Sequence, residues 1–265
     1  MLTIVIAILA GVAAGWASVS DLGVWWGIFN GFVVFVIVQL LIGLLIKRKA
    51  NKINIKIQTI MTEAQNKINR KVQVFQRKPG GNIKAIQKTL EKDQADSILE
   101  SLEASKEMEP LFKWNFLLKK QINTMRMMFY YQIKDFEKVD RLMDDAMMFD
   151  ARAVAMKIAR MYKKQDPELH KFFAKKIKRI KGEDSVLLYG LYSWILVKEE
   201  QIDKALEILV QAKKKTDDPT IQENWEKLAN GRVKQFSNAG LGELWYSLYL
   251  EEPKIKQQRV QHRGF

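Results

Sequence analysis

The sequence predicts an all-α protein in which an N-terminal two-helix transmembrane hairpin precedes an α-helical repeat domain, or α-solenoid. Three observations predict this class. Two apolar runs occupy residues 2–18 and 24–46, apolar residues recur at helical spacing along most of the remaining chain, and one helix pattern returns after 66 residues. We therefore divide the chain into a transmembrane hairpin (1–46), a basic juxtamembrane helix or linker (47–81), a repeat domain (82–250) and a loose basic tail (251–265).

The amino-acid composition gives little support for a catalytic or metal-binding site. The 265-residue chain has a net charge of +14, two His and no Cys. The lack of Cys excludes disulfides, thiolate metal sites and a cysteine nucleophile, and two His give a multi-His metal site little support. The usual nucleotide-binding, zinc-protease and nucleophile-elbow motifs do not occur. We therefore expect no catalytic residue, no metal site and no cofactor, and we predict that the protein is not an enzyme.

The two apolar runs predict membrane spans. Residues 24–46 exceed the roughly 20 apolar residues that a helix needs to cross a bilayer. The shorter first run has the length of a signal-peptide core, but no Lys or Arg precedes it and a full span follows at once, so we favour a hairpin. Lys47, Arg48 and Lys49 follow the second span, and the positive-inside rule then places both termini in the cytoplasm. The predicted location is the inner or plasma membrane, with a multi-pass topology.

Each predicted span contains two glycines four residues apart. Gly11 and Gly15 lie in the first span, and Gly27 and Gly31 lie in the second. Small residues at this spacing let helix backbones approach closely. The favoured interpretation is that the two spans pack on each other, and docking against another membrane protein remains open. We assign Asn30 to the same packing, as an interhelical hydrogen-bonding group.

A basic segment follows the hairpin. Residues 47–90 contain twelve Lys or Arg and a single acid, Glu63. This charge next to an apolar span favours an anionic lipid surface over nucleic acid as the partner. The residues expected to face lipid headgroups are Lys47, Arg48, Lys49 and Lys52. Apolar residues at helical spacing from Ile57 predict a long helix, favoured as a stalk over a lipid-lying helix, that ends at Pro79, Gly80 and Gly81.

The repeat domain is predicted from internal similarity. A helix that carries Ala205, Leu209 and Ala212 has a counterpart 66 residues earlier, at Val139, Met143 and Ala146. The preceding helices match as well, because Tyr130 and Leu196 are also 66 residues apart. Between the two copies lies a less regular unit with Ala159 and Tyr162. An offset of 66 is two periods of about 33, which is typical of helix–turn–helix repeats.

Residues 120–219 thus resemble three divergent units of the tetratricopeptide repeat (TPR) family, with Pro219 at the end of the third. The resemblance implies a curved array of helix pairs whose first helices line a protein-binding groove. The implied groove positions are Gln121, Thr124, Met128, Tyr131, Gln132, Ala153, Met156, Arg160, Lys163, Lys164, Leu187, Gly190, Trp194, Val197 and Lys198. Thr124 and Met128 stand where the carboxylate-clamp members of the family carry Lys and Asn, so that activity is not implied.

Together these features predict a membrane-anchored scaffold that positions a protein partner at the cytoplasmic membrane face. Arg160, Lys163, Lys164 and Lys198 favour an acidic partner segment, and the eight Met between residues 125 and 161 leave an apolar one open. Trp225, Trp245, Tyr246 and Tyr249 are expected to cap the last repeat. The alternatives are an accessory subunit held in a membrane complex by its hairpin, and a binder of anionic lipid or nucleic acid. The oligomeric state is left open.

Overall fold

The computed structural model describes residues 2–77 and 83–253, apart from the side chains of residues 20–22, 83 and 84. The predicted breaker at residues 79–81 and the part of the predicted tail beyond residue 253 lie outside these ranges. The described chain is helical and contains no strand, which confirms the all-α class for these residues. It divides into two compact units, Met1–Met147 and Met148–Phe265.

The first unit begins with two helices that are long and apolar enough to cross a membrane. Helix α1 spans Leu2–Leu22 and helix α2 spans Val24–Arg77. Only Gly23 separates them, at a φ of 85° that favours glycine, so the connection is shorter than the interval 19–23 between the two apolar runs. Helix α2 runs for 54 residues without a break. The second apolar run and the basic juxtamembrane segment are therefore one helix about 80 Å long.

Helix α3, Ile83–Lys106, packs antiparallel against the basic part of α2. The direction follows from two ion pairs, because Lys56 pairs with Glu107 just beyond α3, whereas Lys71 pairs with Asp93. Ile57 is buried on the side that faces α3, and Ile55 points away and is exposed. The predicted apolar stripe of the juxtamembrane helix is thus occupied by α3, and the basic segment is one half of a helical pair.

The pairing of Asp93 makes the outer end of this helical pair sensitive to acid. The Asp93 carboxylate accepts a hydrogen bond from Lys71 and lies 3.2 Å from Lys67 Nζ. The hydrogen bond from Lys71 is the main cause that holds the pKa of Asp93 below its usual range, and Lys67 adds to it. Because the folded pKa is the lower one, this pairing stabilises the fold above the unfolded pKa and is lost as the pH falls through the folded pKa.

We expect hydrogen-exchange protection factors in residues 67–77 and 88–97 to fall below about pH 4, where a carboxylate protonates. Asp93→Asn should lower the protection already at neutral pH and remove most of its acid dependence. Glu91→Gln, on an exposed carboxylate two residues away on α3, is the matched control and should leave both unchanged. Equal acid profiles for Asp93→Asn and the parent would refute a role for this pairing.

The remaining helices of the first unit close its core. A 3₁₀ turn at Glu109–Leu111 leads to α4, Phe116–Gln132, and then to α5, Phe136–Leu142. Ile46 and Ala50 on α2 share one apolar cluster with Met108 and with Leu118 and Ile122 on α4. One face of α2, at the point where the helix leaves its apolar run, is therefore buried inside the first unit, while Lys47, Arg48 and Lys49 on its other faces stay exposed.

The described part of the second unit, up to residue 253, contains five longer α-helices and a short one. They are α6 (Ala151–Lys163), α7 (Leu169–Ile177), α8 (Val186–Lys198), α9 (Ile202–Lys213), α10 (Pro219–Ala229) and α11 (Glu243–Tyr246). Helix α8 contacts α6, α9 and α10, and every side chain from Val186 to Leu196 is buried. A helix that is apolar all round needs such a central position. Ala205, Leu209 and Ala212 are fully buried on α9, where the repeat pattern places them.

Four helices, α4, α6, α8 and α10, end in the same turn. The residue after each C-cap has a positive φ: Lys134 (61°), Gln165 (55°), Glu200 (60°) and Gly231 (69°). In each case the next N–H bonds to a carbonyl five residues earlier, as from Asp135 to Tyr130 (2.9 Å) and from Gln201 to Leu196 (2.8 Å). This is the Schellman motif. Lys134 and Glu200 are 66 residues apart, as are Gln165 and Gly231, so the turn repeats with the period found in the sequence.

Three of these four turns place a side chain where glycine is preferred, which predicts a stabilising substitution. Glu200→Gly should stabilise the second unit by about 1 kcal/mol, because a residue with a Cβ is strained at positive φ. Glu199→Gly, one residue earlier at a φ of −89°, should destabilise it instead. The measurement is hydrogen exchange of α8 and α9 amides in the full chain. Loss of stability in Glu200→Gly would contradict the left-handed turn.

Candidate functional site

The four predicted glycines form the contact between α1 and α2. A Cβ built on Gly11 would lie 2.7 Å from the carbonyl oxygen of Gly31, and one on Gly15 would lie 2.9 Å from that of Gly27. Glycines therefore face glycines in two steps along the antiparallel pair. The Asn30 amide donates to Ser18 Oγ at 3.3 Å across the same pair. The structure thus brings all five predicted packing residues to one helix–helix contact.

The outer surface of the hairpin is apolar and carries tryptophans at its closed end. Trp16, Trp25 and Trp26 are all exposed, next to the turn at Gly23. At the other end of the apolar run, the predicted lipid-facing residues Lys47, Arg48, Lys49 and Lys52 are exposed. Aromatic residues at one boundary and basic residues at the other are typical of a membrane span.

The groove positions predicted in the first unit differ in their accessibility. Gln121 is exposed, and Met128 and Gln132 are half-buried. Tyr131 is buried, and its ring lies edge-on to Phe136 with ring centroids 5.4 Å apart. The Thr124 hydroxyl is occupied by the backbone of Met147, donating to its oxygen at 3.1 Å or accepting from its nitrogen at 2.7 Å. Tyr131 and Thr124 therefore serve the packing of α4.

In the second unit the apolar groove positions are buried and the basic ones lie at the surface. Lys163, Lys164 and Lys198 are exposed and Arg160 is half-buried. The buried positions are Ala153, Met156, Leu187, Gly190 and Trp194, and Val197 is half-buried. Neighbouring helices cover these apolar side chains, so a partner has access to the basic rim and not to the apolar floor.

Trp194 is covered by the chain itself. Trp245 on α11 lies edge-on to it at 5.5 Å, and Tyr162 packs on it at 5.3 Å. Both indole N–H groups donate to one carboxylate, from Trp194 to Glu251 Oε1 (2.8 Å) and from Trp245 to Glu251 Oε2 (3.0 Å). Trp245 thus covers apolar surface, as the sequence predicts. Glu251 was assigned from sequence to a loose tail, but its carboxylate is the acceptor that holds the two tryptophans together.

A second basic cluster on α6 and α7 was missed from the sequence. Lys157 and Lys176 approach the ring of Phe172 at 5.3 and 5.4 Å, and Lys176 also donates to the Met148 carbonyl at 2.8 Å. Lys175 and Arg179 are exposed beside them. Burial chiefly, and then the charges of Arg179, Lys175 and Lys157, lower the pKa of Lys176. The sequence feature that could have predicted this cluster is the presence of six Lys or Arg and no acid between residues 169 and 182.

We call Lys157, Lys175, Lys176 and Arg179 the α6–α7 basic cluster. Its members repel one another, so an anionic group placed among them would gain from all four charges. Side chains of this kind bind carboxylates and phosphates through charge-assisted hydrogen bonds. The arrangement can therefore bind an acidic segment. Within residues 2–77 and 83–253, no three His, Asp or Glu side chains converge on a possible metal position.

Comparison with known proteins identifies no relative, since no family model, curated protein or solved structure matches the chain.

Proposed function

We propose that this protein is a membrane-anchored, TPR-like helical-repeat scaffold that binds and positions a protein partner at the cytoplasmic membrane face. The observation that carries the proposal is the recurrence of one helix-ending turn at 66-residue intervals in a chain that begins with two apolar helices. Stacked helix pairs of this kind are generally binding surfaces. The role is one of interaction and not of catalysis.

The proposed topology is a hairpin in the inner or plasma membrane, with both termini in the cytoplasm. Its support is the exposed triplet Lys47, Arg48 and Lys49 directly after the apolar part of α2. The same basic residues would attract anionic headgroups. In this arrangement the pair of α2 and α3 continues directly from the bilayer, because the span and the basic segment share one helix.

The proposed partner is an acidic protein segment that binds the second unit. The support is charge, because the α6–α7 basic cluster and the exposed Lys163, Lys164 and Lys198 lie on this unit. The first-helix surfaces that a TPR protein would use for apolar contacts are buried at Met156 and Trp194. Recognition through exposed cations therefore fits better than an apolar groove.

The test is co-purification of partners with the tagged full-length protein in mild detergent, followed by mass spectrometry. Lys175→Glu combined with Arg179→Glu should abolish capture of a specific acidic partner. Lys204→Glu combined with Lys214→Glu, on an exposed residue of α9 and on its exposed C-cap, changes the charge equally and should retain it. Unchanged capture in the first double variant would exclude the α6–α7 basic cluster as the binding surface.

A second candidate function is that of a subunit held in a larger membrane complex through its hairpin. The observation that favours it is an apolar groove along the hairpin, lined by the four packing glycines and by Trp16 and Phe32. A groove floored by small residues can accept another transmembrane helix. Exchanging residues 2–46 for an unrelated hairpin would then lose the partners, whereas the proposed scaffold would keep them.

A further inference from the structure

The segment between α3 and α4 is attached to the first turn of α1. The backbone N–H of Leu2 donates to the carbonyl of Lys113 at 3.1 Å, and the hydroxyl of buried Thr3 donates to the carbonyl of Trp114 at 3.1 Å. Phe112 and Trp114 also pack against the apolar cluster that contains Ile46. Residues 112–117 therefore have a defined position along the apolar hairpin.

That position is deeper than the basic end of the span. Gly11 faces Gly31 and Gly15 faces Gly27, and the same antiparallel register places Thr3 level with Gln39. Lys47 lies eight residues further along α2, which corresponds to about 12 Å along the helix axis. The Trp114 backbone is thus level with the apolar part of α2, on the hydrocarbon side of Lys47, Arg48 and Lys49.

The side chains at this level suit a lipid interface. Phe116 is 47% exposed and Leu117 is 54% exposed. Among the described residues beyond 46, they are the only two large apolar residues that are adjacent in sequence and both exposed. Lys120 lies over the Phe116 ring at 4.9 Å, and Lys113 lies over the Trp114 ring at 5.9 Å. Aromatic rings with cations beside them are favoured where acyl chains meet headgroups.

Several backbone N–H and carbonyl groups of this segment form hydrogen bonds within the protein and so do not depend on water. The side chain of Asn115 caps α4 and accepts hydrogen bonds from the N–H groups of Leu117 (2.9 Å) and Leu118 (3.2 Å). The carbonyls of Lys113 and Trp114 are satisfied by Leu2 and Thr3. These four backbone groups, which would otherwise oppose burial in lipid, are therefore paired.

We infer that residues 112–117, with the first turn of α4, enter the headgroup–acyl boundary of an anionic bilayer as a third membrane contact. Phe116 and Leu117 would reach the acyl chains while the neighbouring lysines bind lipid phosphates, as in interfacial amphipathic segments. The inference rests on the proposed membrane hairpin. It adds that the segment between α3 and α4 lies at the bilayer surface and is not held away from it.

The test uses single-cysteine variants, because the chain contains no Cys. Phe116→Cys and Leu117→Cys in the full chain are labelled with an environment-sensitive fluorophore and reconstituted into phosphatidylcholine–phosphatidylglycerol vesicles. A nitroxide near the top of the phosphatidylcholine acyl chains serves as the quencher. Leu40→Cys, on the exposed face of the apolar run, reports on the span, and Leu99→Cys on α3 is the exposed control. Circular dichroism verifies that each variant keeps the helical content of the parent.

We expect labels at residues 116 and 117 to shift to shorter emission wavelengths and to lose about half of their emission or more, as at residue 40. The label at residue 99 should keep the emission of a water-exposed probe. Quenching at residue 40 without quenching at 116 and 117 overturns the third contact and leaves the hairpin intact. Absence of quenching at residue 40 as well overturns both the hairpin and this inference.

Discussion

Gly31→Ile is expected to separate α1 from α2 and to destabilise their contact by about 1–3 kcal/mol, the usual cost of overpacking. A Cβ at residue 31 would lie 2.7 Å from the Gly11 oxygen and 3.4 Å from Gly15 Cα. Both are backbone atoms of the opposite helix, so no side-chain rotation can relieve the clash. The whole helix must move, and the close packing that the glycines allow is lost with it.

The measurement is hydrogen exchange of α1 amides in the full chain as sodium dodecyl sulfate is added to a mild detergent. Gly43→Ile is the matched control, because it lies on the same helix and a Cβ there meets nothing within 4 Å. It should behave like the parent or be slightly more stable, since isoleucine has a higher helix propensity than glycine. If both variants shift the transition equally, the hairpin is not held by its glycine face.

Trp245→Ala is expected to cost the second unit about 3–5 kcal/mol, the range for removing a large buried aromatic side chain. Trp245 is fully buried although it belongs to a helix of only four residues. Its removal leaves a cavity beside Trp194 and takes one of the two indole donors from Glu251. We expect the C-terminal cover to detach and Trp194 to become accessible to solvent.

Trp245→Phe keeps a six-membered aromatic ring in the cavity and removes the N–H donor to Glu251 together with part of the indole. The expected loss is about 1.5–3 kcal/mol, because a hydrogen bond to a charged group is lost while most of the apolar contact remains. Protection of α8 amides against hydrogen exchange, with iodide quenching of tryptophan fluorescence, reports both effects. A loss for Trp245→Ala that is no larger than that for Trp245→Phe would show that the apolar contact with Trp194 contributes little.

The burial pattern of α9 could be predicted from the sequence, whereas most of the Schellman turns could not. The burial of Ala205, Leu209 and Ala212 could be predicted because they lie on one face of a helix, and all three side chains are buried. Gly231 occupies the left-handed C′ position after α10, where glycine is favoured. The equivalent turns at Lys134 and Glu200 carry no such marker, so only the backbone hydrogen bonds reveal that they are copies.

Less of the candidate site than of the fold could be predicted from the sequence. The basic groove residues Lys163, Lys164 and Lys198 are exposed, whereas Met156 and Trp194 are buried. Spacing along one helix assigns a residue to a face but does not say which other element covers that face. The α6–α7 basic cluster was missed for a related reason, because its geometry depends on two helices that share the ring of Phe172.

The sequence by itself determined the helical class, the two apolar runs and the glycine spacing, because these are encoded by residues within a few turns of one another. The 66-residue period followed from comparing two such local patterns along the chain. Tertiary structure alone decided that α2 is continuous and that α3 occupies its apolar stripe. It also decided that Trp245 and Glu251 cover Trp194, and that residues 112–117 lie level with the apolar hairpin. The physical reason is that burial and depth depend on contacts between residues far apart in the chain, which local periodicity does not specify.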